Sequence, residues 1–153
     1  YGHNIGDHFR IGPVDVEITP ADHAWQNEAP GASDRIFQPE DCCGFWIDTP
    51  DGTIWAPGDS RLIPDHHLRM PTADAMLFDF SDSEWHFGLD GAIAMANAYP
   101  HTPLLLYHWG SVDAPDFPPF NADPDSLPDR VENPERIKVL APGEPFELRR
   151  LQN

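Results

Sequence analysis

The sequence predicts a single mixed α/β domain, and three observations lead to this class. Its 153 residues are enough for about one domain with a hydrophobic core. Its 18 prolines are spread along the whole chain, which excludes helix bundles, coiled coils and helical solenoids. The remaining apolar segments are several short stretches typical of strands and one stretch with the period of a helix. Strands and a helix in this order favour layers of sheet and helix.

The first strands are predicted from alternation and from a turn. Residues 14–19 (VDVEIT) alternate between apolar and polar side chains, which is the pattern of a strand with one buried face. Residues 44–48 (GFWID) and 53–56 (TIWA) flank the tetrapeptide TPDG at 49–52. Proline at the second position and glycine at the fourth suit a tight turn, so these two segments are expected to form a β-hairpin.

The second half of the chain contains the predicted core elements. Residues 75–80 (AMLFDF) and 104–107 (LLLY) are short apolar runs, as expected of strands buried on both faces. Residues 89–99 carry apolar side chains at spacings of four and three, which predicts an amphipathic helix. Residues 136–140 and 146–148 are expected to form a last hairpin.

Two polar stretches complete the prediction. Residues 27–41 form a long loop rich in proline, glycine and aspartate, and loops of that length are often functional. Residues 112–134 are predicted to be a surface excursion without regular structure. One convincing helix and a short turn near 65–70 are too few to cover both faces of a sheet. We therefore expect part of the fold to be absent from this chain or supplied by another.

Charge and cysteine content exclude several classes of partner. The chain has 9 Lys and Arg against 26 Asp and Glu, a net charge of −17, which repels nucleic acid and anionic membrane surfaces. No apolar run approaches the roughly 20 residues of a membrane span, so we expect a soluble protein. Cys42 and Cys43 are adjacent and are expected to be small buried residues at a strand entry, in preference to a redox or metal pair. Without a disulfide framework, the sequence favours a cytoplasmic location.

Three predicted strands end in a segment that contains a potential metal ligand. These segments are 20–23 (PADH), 57–60 (PGDS) and 107–110 (YHWG). Imidazole and carboxylate groups at the ends of neighbouring strands meet at one edge of a sheet and suit borderline divalent metals. The alternative is that each histidine is a hydrogen-bonded residue at a strand end.

The order of these segments resembles a known family. From about residue 9 to 148, the segments PADH, GFWIDTPDGTIWAPGDS, HFGLDGAIAMANAYP and LLLYHWGSV resemble the carboxy-terminal half of a metallo-β-lactamase-fold hydrolase. They are most similar to the branch that contains ascorbate-6-phosphate lactonase and N-acylphosphatidylethanolamine phospholipase D. The resemblance implies the carboxy-terminal half of a four-layered αβ/βα sandwich with a mixed sheet.

The resemblance also implies a site with two divalent metal ions. His23 matches the third histidine ligand, Asp59 the carboxylate that bridges both ions, and His108 the final histidine on the second ion. Such a pair of ions lowers the pKa of a shared water, and the resulting hydroxide attacks an ester, a lactone or a phosphodiester. Zinc is the default metal for this donor set, although manganese or iron accepts the same groups.

Three further residues are candidates for a role at the site. His86 lies in the loop between a predicted strand and the helix, where the family often has a histidine that binds substrate or protonates a leaving group. A surface histidine is the alternative for this position. Arg61 and Arg69 are among the few cations and could orient an anionic substrate group, although most arginines only solvate a surface.

The family's His-x-His-x-Asp-His motif is not found in these residues. We therefore expect residues 1–153 to be one partial domain, inactive alone, that pairs with a complementary amino-terminal segment or chain and could form a homo-oligomer. The alternative is a standalone relic that cannot hold two metals. A rival from another class is a non-catalytic acidic domain that binds a partner chain through its uncovered sheet and needs no metal.

Overall fold

A computed structural model describes residues 2–23, 25–28, 31, 34–110 and 122–151, in which a single seven-stranded mixed sheet is found. The strands are β1 (His8–Ile11), β2 (Val14–Pro20), β3 (Cys43–Thr49), β4 (Gly52–Ala56), β5 (Ala75–Asp79), β6 (Leu104–Tyr107) and β7 (Ile137–Lys138). The α-helices are α1 (Trp25–Glu28), α2 (Pro64–His67) and α3 (Gly88–Ala98). The predicted mixed α/β class is confirmed.

The order of the strands in the sheet follows the order in the chain. Pairs from β1 to β4 are antiparallel, and pairs from β4 to β7 are parallel. Since β2 and β4 both run antiparallel to β3, the strands β2, β4, β5, β6 and β7 share one direction. Their carboxyl ends therefore meet at the same edge of the sheet.

The hairpin predicted around residues 49–52 is present. Thr49 lies opposite Gly52 in the register of β3 and β4, and its hydroxyl accepts from the amide of Gly52 at 3.2 Å and donates to the Gly52 carbonyl at 2.8 Å. Cys43 begins β3 as predicted, although it and Cys42 are only partly buried, and both thiols are free.

Two predictions need correction, and one strand was not predicted. The strand that was not predicted is β1, which pairs with β2. The predicted last hairpin was wrong, because β7 pairs parallel with β6 and residues 146–148 form no strand. The chain instead runs to the start of β5, where the backbone amide of Leu151 donates to Asp74. Within the predicted surface excursion, Leu127 is fully buried against the hydrophobic core, so residues 122–134 are partly interior. Residues 111–121 lie outside the described residues.

The hydrophobic core lies between one face of the sheet and α3. Its members are almost entirely inaccessible to solvent and include Trp55, Met76, Phe78 and Met95. Arg136 fixes the carboxyl end of α3, because its guanidinium donates to the Ala96 carbonyl at 2.7 Å. None of the helices in the described ranges is long and apolar enough to cross a bilayer.

The opposite face of the sheet is apolar and partly open. Val16 and Ile18 are 7 % and 8 % exposed, whereas Phe45 and Leu77 are 36 % and 38 % exposed. Leu77 lies on β5, which has strands on both sides. An exposed leucine in an interior strand is typical of a surface that another element covers.

Candidate metal centre

The candidate site lies at the edge of the sheet where β2, β4, β5 and β6 end. His23 follows β2, Asp59 follows β4, Asp79 is the last residue of β5, and His108 follows β6. His86 lies in the loop between β5 and α3. Loops at the carboxyl ends of such strands are common places for ligand sites in α/β proteins.

Two glycines fix the loop that carries Asp59. A Cβ atom on Gly44 would lie 2.4 Å from the carbonyl oxygen of Pro57, and one on Gly58 would lie 2.5 Å from that of Cys43. Gly58 also has a φ of +79°, which favours glycine. The backbone of the loop therefore lies directly against β3, and the sheet itself determines where Asp59 is placed.

Asp79 connects two of the histidines and is fully buried. Its Oδ2 lies 2.6 Å from Nδ1 of His86, and its Oδ1 lies 3.2 Å from Nδ1 of His108. Burial raises the pKa of this carboxyl, but the hydrogen bonds from His108 and His86 outweigh it, so the net pKa is lowered. Asp79 is therefore ionised and can only accept, which requires a proton on Nδ1 of each imidazole. In a neutral imidazole held in this way, Nε2 carries no proton and is available as a metal ligand.

Four side chains could together hold a metal ion. One ligand atom from each of Asp59, Asp79, His86 and His108 lies within 4.8 Å of all the others. Carboxylate oxygens and imidazole nitrogens are the donors that zinc, manganese and iron accept, so the set fits a divalent ion. His23 is outside this set, but its ring lies 4.9 Å from that of His86.

The electrostatic environment differs among the histidines. The hydrogen bond that His108 donates to Asp79 raises the pKa of His108, whereas burial, followed by the nearby His86, lowers the pKa of His23. His108 also has a φ of +71°, a conformation that a non-glycine residue adopts at a cost and that is found often at functional sites. The hydroxyl of Tyr107 donates to Asp59 at 3.2 Å and holds that carboxylate.

A cavity of about 250 Å³ opens above these groups. It is lined by six described side chains: His23, Trp25, Asp59, Trp85, His86 and His108. The three residues predicted as metal ligands and the predicted catalytic histidine thus share one cavity, and Nδ1 of His108 lies 3.8 Å from Oδ1 of Asp59.

The two arginines predicted to bind substrate do not line this cavity in the described part of the chain. Arg61 donates to the Glu84 carbonyl and to the Glu28 carboxylate, and its guanidinium lies over the ring of Trp85. Arg69 forms a largely exposed ion pair with Asp65, at 2.9 Å, next to α2.

Sequence reasoning missed Asp79 and the two tryptophans of the cavity wall. Asp79 falls inside the apolar run 75–80, and a carboxylate in a strand buried on both faces requires a partner. The need for a partner was therefore a signal in the sequence that could have identified Asp79. Trp25 and Trp85 lie in segments without regular hydrophobic patterns, and no local signal identifies them.

Comparison with known proteins agrees with this site. Residues 1–109 match the family model described as a beta-lactamase superfamily domain. A UPF0173 metal-dependent hydrolase from Pyrobaculum arsenaticum is 29 % identical over 150 residues, which are 95 % of this chain and 59 % of the relative. Another UPF0173 metal-dependent hydrolase, from Pelotomaculum thermopropionicum, is 27 % identical over 153 residues, 97 % of this chain and 63 % of the relative. The chain spans about three fifths of the length of these curated relatives.

Solved structures show the same fold. An isothiocyanate hydrolase from Delia radicum gut bacteria superimposes with a TM-score of 0.70 at 14 % identity, over 98 % of this chain and 60 % of that protein. A possible metal-dependent hydrolase from Veillonella parvula superimposes with a TM-score of 0.64 at 14 % identity, over 92 % of this chain and 56 % of that protein. The family model covers most of the length of this chain, and side chains that can bind a metal lie together at the strand ends. This chain therefore belongs to the family described as the beta-lactamase superfamily domain.

Proposed function

We propose that the complete protein is a metal-dependent hydrolase that uses two divalent ions, zinc by default, to cleave an ester or lactone, or a phosphodiester, with water. The observation that carries this proposal is the group of two carboxylates and two imidazoles whose ligand atoms lie within 4.8 Å of one another. The names of the relatives and the superfamily membership support the same chemistry.

The side chains of this site have separate tasks in the proposal. Divalent ions bound here supply a Lewis acid and lower the pKa of a water. Asp59 and His108, with His23, are the proposed ligands from this chain, and Asp59 is the proposed bridging carboxylate. Asp79 holds the imidazoles of His86 and His108 in one tautomer and orientation through its two oxygens.

His86 has a proposed role in substrate binding or in proton transfer to the leaving group. It is 4 % exposed and lines the cavity, so a substrate in the cavity would lie beside it. Its Nδ1 lies 2.6 Å from Oδ2 of Asp79, which holds the orientation of the imidazole ring beside a substrate in the cavity.

We further propose that an amino-terminal segment or a separate chain completes the domain by covering the open face of the sheet. The exposed Phe45 and Leu77 on that face support this proposal, as does the greater length of the relatives. A homo-oligomer that buries the same face is the alternative occupant. Light scattering and mass spectrometry of the purified protein would identify which one is present.

The location is proposed to be the cytoplasm. The free thiols of Cys42 and Cys43 suit a reducing compartment. Fractionation of cells followed by detection of the chain tests this proposal, and enrichment in an oxidising compartment would contradict it.

Metal analysis and paired kinetics test the hydrolase proposal. Asp59→Ala should lower metal content and reduce turnover far more than substrate affinity. His86→Ala should retain most metal, while turnover falls by about 10²–10⁴, the range for general acid–base groups. Asp82→Ala, at an exposed carboxylate, is the charge-matched control. Full metal content and normal turnover in Asp59→Ala would reject the hydrolase and favour the non-catalytic binding domain.

A further inference from the structure

Two tryptophans form the apolar part of the cavity wall. Trp25 and Trp85 line the cavity together with Asp59 and the three histidines of the site. Its volume of about 250 Å³ exceeds the roughly 150 Å³ of a protein cavity known to hold benzene. A ring or a short alkyl chain could therefore lie beside the metal-binding side chains.

The part of the cavity wall that this chain supplies contains no fixed cation. All nine Lys and Arg residues of the chain lie in the part that the structure describes, and none of them lines the cavity. An anionic substrate group would face the Asp59 carboxylate without a guanidinium or ammonium to pair with. Apart from a protonated imidazole, only the bound ions would attract it, whereas phosphodiester recognition ordinarily adds arginine or lysine.

Arg61 packs against the ring of Trp85 without lining the cavity, and it holds that ring in place. Its guanidinium carbon lies 4.4 Å from the centroid of the Trp85 ring. Its Nε donates to the Glu84 carbonyl at 2.9 Å, and its Nη2 donates to Glu28 at 3.2 Å. The backbone amide of Arg61 also donates to the carbonyl of Asp22 at 2.8 Å. These contacts join the loops after β2, β4 and β5, so the charge of Arg61 is used for packing.

From this arrangement we propose that the cavity binds the uncharged aryl or alkyl group of a neutral substrate against Trp85 and Trp25, and that Arg61 is the positioning residue for Trp85. The substrate class is therefore an apolar carboxylic ester or lactone, in preference to a phosphodiester. This inference rests on the proposed hydrolase function for the reaction, but the binding specificity of the cavity can be measured separately.

A binding experiment on the complete, metal-free protein tests the cavity without any chemistry. The neutral probe is 4-phenyl-2-butanone, and the anionic probe with the same phenylethyl group is 3-phenylpropanoate. We expect calorimetry to show the neutral probe binding at least about tenfold more tightly, because a carboxylate would be desolvated next to Asp59. Trp85→Ala should weaken the neutral probe about tenfold or more, whereas Trp85→Phe keeps an aromatic surface and should retain most of the affinity.

A kinetic experiment on the metal-loaded protein tests the substrate class. With 4-nitrophenyl acetate, butyrate and hexanoate, kcat/KM should rise by up to about fourfold for each buried methylene. Bis(4-nitrophenyl) phosphate should be the poorer substrate. Arg61→Met should flatten the dependence on chain length mainly through KM, and Arg61→Lys should restore part of it. Arg10→Met removes an exposed arginine that pairs with Asp15 and should leave the dependence unchanged.

The outcomes separate this inference from the proposed function. A flat chain-length profile, equal binding of the two probes, or a faster reaction with the phosphodiester would overturn the inference. A general loss of activity in Arg61→Met with an unchanged chain-length profile would also overturn the positioning role. A protein that binds the neutral probe preferentially but hydrolyses none of these compounds would support the cavity specificity and reject the hydrolase.

Discussion

Replacing Asp79 with asparagine should weaken metal binding while it preserves the shape of the site. Asp79 is fully buried, and its two oxygens lie 2.6 and 3.2 Å from Nδ1 of His86 and His108. Asparagine keeps one acceptor oxygen but places an NH₂ group at the other position. One of the two imidazoles then faces a donor, so it must carry its proton on Nε2, where a metal would bind.

The size of the effect follows from the loss of one oriented imidazole. Loss of such an orienting partner typically reduces metal affinity by about 10–100-fold, which corresponds to about 1.4–2.8 kcal/mol. Direct loss of a ligand, as in Asp59→Ala, should cost more. The comparison of the two variants therefore distinguishes an orienting carboxylate from a ligand.

Competition with a chromogenic chelator measures the affinity of the complete protein for zinc. Nitrogen-15 NMR of the histidine side chains reports which ring nitrogen carries the proton in the metal-free state. Asp82→Asn is the control, since Asp82 is exposed and three residues away. Zinc affinity within about twofold of wild type, with both imidazoles still protonated on Nδ1, would refute the orienting role.

Three further predictions concern stability. Gly44→Ala would place a Cβ atom 2.4 Å from the Pro57 carbonyl oxygen, so we expect a loss of about 1–3 kcal/mol in unfolding free energy and reduced metal content, measured by thermal melting and metal analysis. Burial, followed by the neighbouring imidazole, lowers the pKa of His67 to about 4 from 6.5. The unfolded chain therefore takes up this proton first, and stability should fall by up to about 3 kcal/mol between pH 6.5 and pH 4. His67→Asn, which can still accept from the Ile63 amide, should flatten that part of the pH profile. Arg136→Met removes donors to the carbonyl groups of Ala96 in α3 and of Thr102 after it and should cost about 2–3 kcal/mol, measured by urea unfolding.

Matched variants serve as controls for these measurements. Gly2→Ala has open space around the new Cβ atom, and His101→Asn and Arg149→Met change exposed side chains. These three variants should change stability by less than about 0.5 kcal/mol. Each prediction has one result that contradicts it. For Gly44→Ala it is an unchanged melting temperature, and for His67→Asn it is a dependence of stability on pH that is parallel to that of wild type. For Arg136→Met it is an unchanged free energy of unfolding in urea.

The central strands and the convergence of the site could be predicted because their signals are local. Residues 53–56, 75–80 and 104–107 are apolar runs bounded by turns, and each is followed by, or ends in, a polar side chain. Parallel strands place such ends together whatever the rest of the chain does. The gathering of Asp59 and His108 therefore required only the correct order and direction of three strands.

The elements that were missed depend on distant partners. β1 (HFRI) has only four residues and is largely exposed, and its pairing with β2 makes it a strand. β7 has two residues, too few for a period, and its parallel partner β6 lies far along the chain. The role of Asp79 likewise becomes visible only when His86 and His108 are brought to either oxygen of its carboxylate.

The donor groups of the site come from separate strands, and this separation determines whether the protein folds before or after it binds metal ions. Asp79 and His108 are 29 residues apart in the chain, and Tyr107 and the Asp59 it holds are 48 apart. The unfolded chain therefore contains no compact ligand cluster from these residues that an ion could gather, unlike a zinc finger, in which closely spaced ligands fold around the metal. The sheet must form first, and ions should load onto an assembled scaffold, stabilising it by mass action in proportion to their free concentration.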